Sequence, residues 1–297
     1  MTLIKESSQN ILLYAVTILI WGSSWLAIKF QLGSVDPMAS VAYRFLLASA
    51  ISLIFCFFSG RLKIFSPLDH FFMFLQGSLL FALNYWLFYL SELTLTSGLA
   101  AVIFSTVVIM NMLNGIIFLQ NRLENRVVIG SSLGLIGILF VFWPELINFE
   151  TKNENIKAVF FALLATYLAS LGNIVSARNQ LKGISVLQSN TFGMTYGSLL
   201  MLFVCILTGK ELSFELTLTY VSSLFFLSLF ASIIAFWTYL TLLGRVGVER
   251  AAYSTLLFPI VALAISTVAE NYQWSIFAVL GILLILSGNL IILRREY

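Results

Sequence analysis

Ten apolar stretches of about twenty residues, separated by short polar clusters, constrain this chain more than any other feature. About 20 apolar residues in a helix cross the roughly 30 Å hydrocarbon core of a bilayer. Only 10% of the 297 residues are charged, whereas a soluble domain has about 25%. Each stretch should be helical, because an unpaired backbone group in lipid costs several kcal/mol. We therefore predict an all-α membrane protein with ten transmembrane helices.

The loops between the predicted spans are short except for residues 145–157, which indicates antiparallel neighbouring helices. The predicted spans are 11–32, 38–58, 68–90, 96–119, 127–143, 156–177, 186–207, 216–243, 248–268 and 274–293.

The basic residues predict the orientation, because loops on the cytoplasmic side carry an excess of Lys and Arg. With both termini inside, the four basic residues of the outer loops are Lys29, Lys152, Lys157 and Lys210. The eleven inner ones are Lys5, Arg61, Lys63, Arg122, Arg126, Arg178, Lys182, Arg245, Arg250, Arg294 and Arg295. The pattern predicts cytoplasmic termini and a multi-pass protein of the cell membrane, which we expect to be a bacterial inner membrane.

The two halves of the chain share features at a constant offset: Tyr89-Leu90 recurs 150 residues later as Tyr239-Leu240. We predict one five-helix repeat in residues 1–150 and a second in 151–297. Because five is odd, the two repeats would be inserted in opposite directions, as in many transporters with a substrate site at the interface of the repeats. Chance similarity between apolar helices is the alternative.

Several short motifs resemble the ten-helix EamA branch of the drug/metabolite transporter superfamily, in order and spacing over nearly the whole chain. The matching residues are Trp21-Gly22-Ser23-Ser24, Arg44-Phe45, Ala251-Ala252, Pro259, Glu270 and Gly281 through Gly288. The resemblance implies two tandem five-helix units and the export or exchange of amino acids, related metabolites or drugs. Val108 and Ile109 stand where the family often has a proline, and Gln120 where it often has glutamate.

Aromatic and amide residues inside the spans are the candidate substrate-binding residues. Trp21 and Trp25 share one face of the first helix because they are four residues apart. Polar groups inside a membrane should face protein or water. Binding of substrate and packing between helices are the two interpretations. The full set of candidates is Trp21, Trp25, Asn84, Tyr85, Tyr89, Tyr167, Asn173, Trp237 and Tyr253.

Arg44 is the one charge well inside a predicted span. It could hold a substrate carboxylate, or it could brace helix ends against Asp36, Glu92 or Glu270. Pro259 lies in the middle of the ninth span, where it should free the carbonyl group of Thr255 and act as a hinge or a fixed kink.

The spans contain no carboxylate at their midpoints; Glu92 and Glu270 lie at the outer edges, and His70 near an inner end. This pattern favours a facilitator or exchanger that works by alternating access, with export favoured and amino acids or related compounds as substrates. The alternatives are a drug or amine exporter coupled to protons through an edge carboxylate, and a membrane scaffold or receptor that does not transport. No catalytic constellation is present, so an enzyme is not predicted. We expect no cofactor, metal or nucleic acid, and a protein surrounded by membrane lipid; the oligomeric state is open, a monomer being one alternative.

Overall fold

The structure, a computed structural model, describes residues 2–95, 97–122, 124–147, 149, 152–269 and 274–293. Within these residues it is all helical, with no β-strand. The helices of the first half are α1 (Thr2–Lys29), α2 (Pro37–Phe58), α3 (Pro67–Glu92), α4 (Ser97–Ser105 and Val107–Leu119) and α5 (Asn125–Val141). Those of the second half are α6 (Asn153–Leu181), α7 (Val186–Leu207), α8 (Leu218–Val246), α9 (Val248–Ala252, Tyr253–Leu257 and Phe258–Ala269) and α10 (Ile276–Leu293). A short helix, Trp143–Ile147, follows α5.

Seven of the described helices are long and apolar enough to cross a membrane: α1, α2, α3, α4, α6, α7 and α8. The described parts of α5 and α10 are apolar but shorter, and α9 is interrupted by a 3₁₀ segment. The protein is therefore a multi-pass helical membrane protein. Its ten spans remain a prediction.

The helix ends follow from local capping. Asp36 accepts a hydrogen bond from the backbone N–H of Met38 at 2.9 Å, and Pro37 occupies the first position of α2. A proline there removes a backbone donor that would have no helical partner. The predicted first span runs too far, because α1 ends at Lys29 and the chain then turns, with Gln31 and Leu32 bonded back to Ile28 and Lys29.

Three helices depart from α geometry near the middle of the molecule. Helices α3 and α8 contain π segments, Ser78–Leu83 and Leu227–Ile234, and α9 contains the 3₁₀ segment Tyr253–Leu257. Such irregular turns are frequent at functional sites. The expected free carbonyl of Thr255 is not observed, because the tighter 3₁₀ turn lets it accept from the N–H of Phe258.

The helices pack in a regular pattern. Helix α2 packs on α7, and α5 on α10; α3 and α4 pack on α6, while α8 and α9 pack on α1. These pairs are the same in both halves of the chain. For example, α3 packs on α6 in the same way that α8 packs on α1, when each helix is matched with the helix five places later or earlier.

Glycines bring α5 and α10 into backbone contact. A Cβ atom added to Gly130 would lie 2.7 Å from the carbonyl oxygen of Gly288, and one added to Gly137 would lie 2.5 Å from that of Gly281. Small residues of this kind permit close helix packing in membranes. We define these four glycines as the α5–α10 glycine seam.

Candidate substrate site

A central cavity of about 60 Å³ lies among α1, α3, α4, α6, α8 and α9. Its wall is mostly aromatic, with a few hydroxyl and amide groups. The lining residues are Trp21, Ser24, Trp25, Ile28, Leu80, Asn84, Tyr85, Phe88, Phe104, Ala169, Asn173, Phe236, Tyr239, Thr255 and Phe258. The volume has room for a few water molecules.

The π segment of α8 helps to position Trp21. The indole Nε1–H of Trp21 donates to the carbonyl oxygen of Ala231, within that segment, at 2.9 Å. The ring of Trp21 packs against Phe236 and Tyr239, with centroid distances of 4.8 and 5.1 Å, and against Phe258 at 5.6 Å. The indole is thus held by contacts with both α8 and α9.

Gly22 allows α1 to approach α9 beside this indole. A Cβ atom at Gly22 would lie 2.6 Å from the Cβ of Val261 and 3.1 Å from the carbonyl oxygen of Phe258. The hydroxyl of Ser24 donates back to the carbonyl of Trp21 at 2.9 Å. The Trp-Gly-Ser-Ser motif therefore combines one cavity wall with one close helix contact.

Trp25, Phe88 and Phe104 form the wall opposite Trp21's neighbours. Ring centroids of Trp25 lie 6.1 Å from Phe88 and 6.2 Å from Phe104, and the two phenylalanines are 5.5 Å apart, all edge to face. Such pairs add about 0.5–1.5 kcal/mol to simple burial. This cluster joins α1, α3 and α4.

Two amide side chains that line the cavity have an acceptor without a hydrogen-bond partner among the described residues. These acceptors are the buried Oδ1 atoms of Asn84 and Asn173. The Nδ2 group of Asn173 donates to the hydroxyl of Tyr239 at 3.1 Å and to Oδ1 of Asn111 at 3.4 Å. Asn173 is thereby oriented by α8 and α4, with its carbonyl oxygen left available.

Five of the nine candidate residues line the cavity: Trp21, Trp25, Asn84, Tyr85 and Asn173. Tyr167 and Trp237 do not, because their side chains are 42% and 44% exposed on the outer surface of the helices. Each step of three residues rotates a side chain by about 300° around the helix axis, which is about 60° short of a full turn. Two such steps separate Tyr167 from Asn173, so the two side chains lie about 120° apart around α6.

Tyr253 and Tyr89 are buried away from the cavity. The hydroxyl of Tyr253 donates to the carbonyl of Ile285 at 2.9 Å, which ties α9 to α10. Tyr89 lies near Arg44 and Glu92. The cavity residues missed by the prediction include Phe88, Phe104, Phe236 and Phe258, since a phenylalanine in an apolar helix gives no sign of its direction.

Arg44 is buried, with 1% exposure, and its Nε–H donates to the hydroxyl of Ser232 at 2.9 Å. Its guanidinium carbon lies 4.4 Å from the ring centre of Tyr85, in cation–π geometry. Asp36 is not its partner, because Asp36 pairs with Lys210 at 3.2 Å. Glu270 lies outside the described residues. Glu92 ends α3 as predicted, but its side chain is buried, with 7% exposure.

Polar contacts close the bundle at the end that carries the α1–α2 and α7–α8 loops. We name this the outer end, following the predicted orientation. Besides the pair of Asp36 and Lys210, Ser34 donates to Glu215 at 2.6 Å, and Gln31 donates to Ser223 at 2.6 Å.

The opposite, inner end is closed by a second set of contacts. Asn121 donates to Glu249 at 2.6 Å, and Arg250 donates to Glu124 at 2.7 Å, which joins the α4–α5 loop to α9. Arg245 at the end of α8 donates to Asn10 of α1 at 3.2 Å. The cavity thus lies between two sets of polar contacts, one at each end of the bundle.

A family model of EamA-like transporters matches residues 9–143 and again residues 156–294. The chain belongs to the EamA-like transporter family. It is a transporter and not an enzyme, and its partner is a small molecule. The two matches correspond to the two halves of the helix-packing pattern.

Relatives of known sequence agree with this membership. The chain is 26% identical over 276 residues to an uncharacterized transporter of Bacillus subtilis, YoaV, with 91% of each chain covered. It is 24% identical over 292 residues to an Escherichia coli protein named as a probable amino-acid metabolite efflux pump, with 95% of this chain and 94% of that one covered. A crystal structure of another protein superposes with a TM-score of 0.77 at 18% identity, covering 96% of both chains, which shows the shared fold.

Proposed function

We propose that this protein exports small metabolites, amino acids or related compounds, by alternating access, with the central cavity as the substrate site. The observation that carries this proposal is the cavity itself, enclosed by aromatic rings and two available amide acceptors. An ammonium group could bind Asn84 and Asn173 while apolar groups contact the rings. The named function of the Escherichia coli relative supports the same substrate class.

Two inverted repeats are a common architecture for alternating access, and we propose it for this chain. Five contacts between loops support the proposed orientation, in which all of these loops lie on the cytoplasmic side: those of Arg245 with Asn10, Arg250 with Glu124, Asn121 with Glu249, Arg178 with Asp69 and Gln188 with Arg61. The same orientation puts the contacts of the α1–α2 and α7–α8 loops on the other side. Helices α1 and α6 then run in opposite directions, which supports residues 1–150 and 151–297 as inverted repeats with cytoplasmic termini in a bacterial inner membrane.

The irregular segments that face the cavity are the proposed moving parts. Pro259 follows the 3₁₀ segment, and Thr255 within that segment lines the cavity. A helix interrupted here can bend with a smaller loss of hydrogen bonds than a regular helix. We therefore retain Pro259 as the proposed hinge.

Export of amines coupled to protons is a second candidate, favoured by the aromatic wall and by burial of Glu92. Both candidates involve the same cavity. They differ in the ligand that binds. If the protein exports amines, an amine without a carboxylate should bind as tightly as an amino acid; if it exports amino acids, the amine should bind more weakly.

The test is the thermal stability of the purified protein with L-leucine, L-phenylalanine, L-threonine and the matching amines. A ligand at about ten times its dissociation constant stabilises the fold by roughly 1.4 kcal/mol. We expect a selective shift, followed by counterflow of the same labelled compound into preloaded proteoliposomes. No shift with any compound, together with no counterflow, would favour a scaffold or receptor.

A further inference from the structure

Arg44, Tyr89 and Glu92 form a buried polar cluster at the interface of α2 and α3. Four atoms in this cluster have no hydrogen-bond partner among the described residues: Nη1 of Arg44, the hydroxyl oxygen of Tyr89 and both carboxylate oxygens of Glu92. All three side chains are more than nine-tenths buried. Because buried polar groups are almost always hydrogen-bonded, this concentration of available donors and acceptors indicates a binding function.

The cluster lies between the central cavity and the outer end. Along α3, Tyr85 and Phe88 line the cavity. Leu93, next to Glu92, lines a surface pocket of about 470 Å³ whose other lining residues are 33–37, 209–211 and 213. Arg44 lies against the ring of Tyr85, a cavity residue. The cluster therefore lies along α3 between residues that line the cavity and a residue that lines the outer pocket.

The charges in the cluster limit what it can bind. The charged groups that act on Glu92 in the described residues are Lys29 of α1, which has the larger influence, and Arg44 of α2, with Tyr85 and Tyr89 of its own helix nearby. Lys29 is exposed, so solvent screens its charge.

Arg44 is therefore the buried cation near Glu92 that can balance an anion, and a single guanidinium balances one carboxylate. A second carboxylate would be an unpaired buried charge, which costs several kcal/mol. If Glu92 takes up a proton, Arg44 is free to pair with the incoming group, and the Glu92 carboxylic acid becomes a hydrogen-bond donor.

We propose that Arg44, Tyr89 and Glu92 bind a carboxylate group of the transported compound, and that Glu92 takes up one proton as this carboxylate binds. The inference rests on the proposed function and assigns the residues that bind the carboxylate of its substrate. Arg44 and Tyr89 donate hydrogen bonds to the incoming carboxylate. When the carboxylate leaves, Glu92 releases the proton to solvent and again balances Arg44.

Linkage makes this proposal testable with a simple probe. If protonation of Glu92 strengthens carboxylate binding, a bound carboxylate must strengthen protonation of Glu92 by the same factor. The measurement is an infrared titration of the purified full-length protein, following the carbonyl band of protonated Glu92, with saturating acetate or with acetamide. The band is assigned by its loss in Glu92→Gln and its retention in Glu154→Gln, which alters an exposed glutamate of α6.

We expect acetate to raise the titration midpoint of Glu92 by about one pH unit for each factor of ten by which bound acetate strengthens protonation of Glu92. Acetamide should leave the midpoint unchanged. In Arg44→Lys the carbonyl band of Glu92 should remain and the acetate-dependent shift of its midpoint should become smaller. This second variant tests the proposal even if Glu92→Gln does not fold. An unchanged or lowered midpoint with acetate would overturn the proposal.

The same proteins separate this inference from the proposed function. An acetate-dependent midpoint without binding of any amino acid would reject amino acids as substrates and retain the carboxylate site. Amino-acid binding of equal strength at every pH, without an acetate effect, would retain the proposed function and reject the site at Glu92.

Discussion

The α5–α10 glycine seam and the wall of the central cavity are both buried helix interfaces, but the seam consists of glycines and the wall mostly of aromatic residues. At the seam, backbone meets backbone, with no space for a single added carbon at Gly137 or Gly281. At the cavity, large aromatic rings meet around a space, and the acceptors of Asn84 and Asn173 have no partner.

This difference separates scaffold from working surface. An interface packed to backbone contact has one arrangement, because interiors resist small displacements. A wall with available polar groups and irregular helix turns can rearrange when a ligand supplies the missing partners. We therefore expect α5 and α10 to move as one unit while α1, α3, α8 and α9 change around the cavity.

The largest effect should come from filling the seam. Gly281→Val places side-chain atoms against the carbonyl oxygen of Gly137 and the side chain of Val141. Overpacking costs about 1–3 kcal/mol or more when backbone must move. We expect a clear fall in thermal midpoint, measured by size-exclusion chromatography after heating.

Leu280→Val on the same helix is the matched control, because Leu280 is 43% exposed on the outer surface. It should leave the midpoint nearly unchanged. If Gly281→Val were as stable as the control, the seam would not be the rigid element that this comparison requires.

Asn84 and Asn114 allow a sharper version of the same comparison. Both are buried asparagines, but Asn114 donates to the hydroxyl of Ser170 at 2.8 Å, while the carbonyl oxygen of Asn84 has no partner. Asn114→Leu should lower the free energy of unfolding by about 1–3 kcal/mol through a lost buried bond. Asn84→Leu should leave stability nearly unchanged and weaken ligand binding about tenfold.

Paired measurements of thermal midpoint and of counterflow distinguish the two roles. If Asn84→Leu destabilised the protein as much as Asn114→Leu and kept transport intact, Asn84 would be a packing residue and the cavity would lose its polar contact with substrate.

The smallest effect on stability should come from a substitution in the exposed loops of the outer end, at Glu215. Hydrogen bonds from Ser34 and Thr217, at 2.6 and 2.7 Å, lower the pKa of Glu215. A pKa lowered in the folded state adds stability above the ordinary glutamate pKa of about 4.3, and this stability is lost as pH falls through the folded-state pKa. Glu215→Gln should therefore slightly flatten the decline of the thermal midpoint below that pH. An identical acid profile in both proteins would show that the loop contact adds nothing.

Much of the fold followed from the pattern of apolar stretches. The predicted spans agree with the helices to within a few residues at most ends, because prolines and capping residues such as Asp36 mark the starts. The π segments in α3 and α8 and the 3₁₀ segment in α9 were not predicted. They contain ordinary apolar and small polar residues, so nothing local distinguishes them from regular helix.

The site was predictable only in part. A tryptophan or an asparagine in an apolar helix attracts notice, so Trp21, Asn84 and Asn173 were among the candidates. The candidates also included Tyr167, although it lies about 120° around α6 from Asn173, on the outer surface. Burial of Glu92 was also missed, because a carboxylate at a span end is usually hydrated.

The sequence by itself determined that the chain crosses a membrane many times, since apolar length and backbone hydrogen bonding leave no other fold, and its motifs indicated the transporter family. Tertiary structure alone decided which polar groups meet. Arg44 and Glu92 are 48 residues apart on different helices, and their neighbourhood depends on how α2 packs against α3. Side-chain periodicity specifies a face of one helix, whereas a site requires the relative rotation of several helices, which their packing contacts set together.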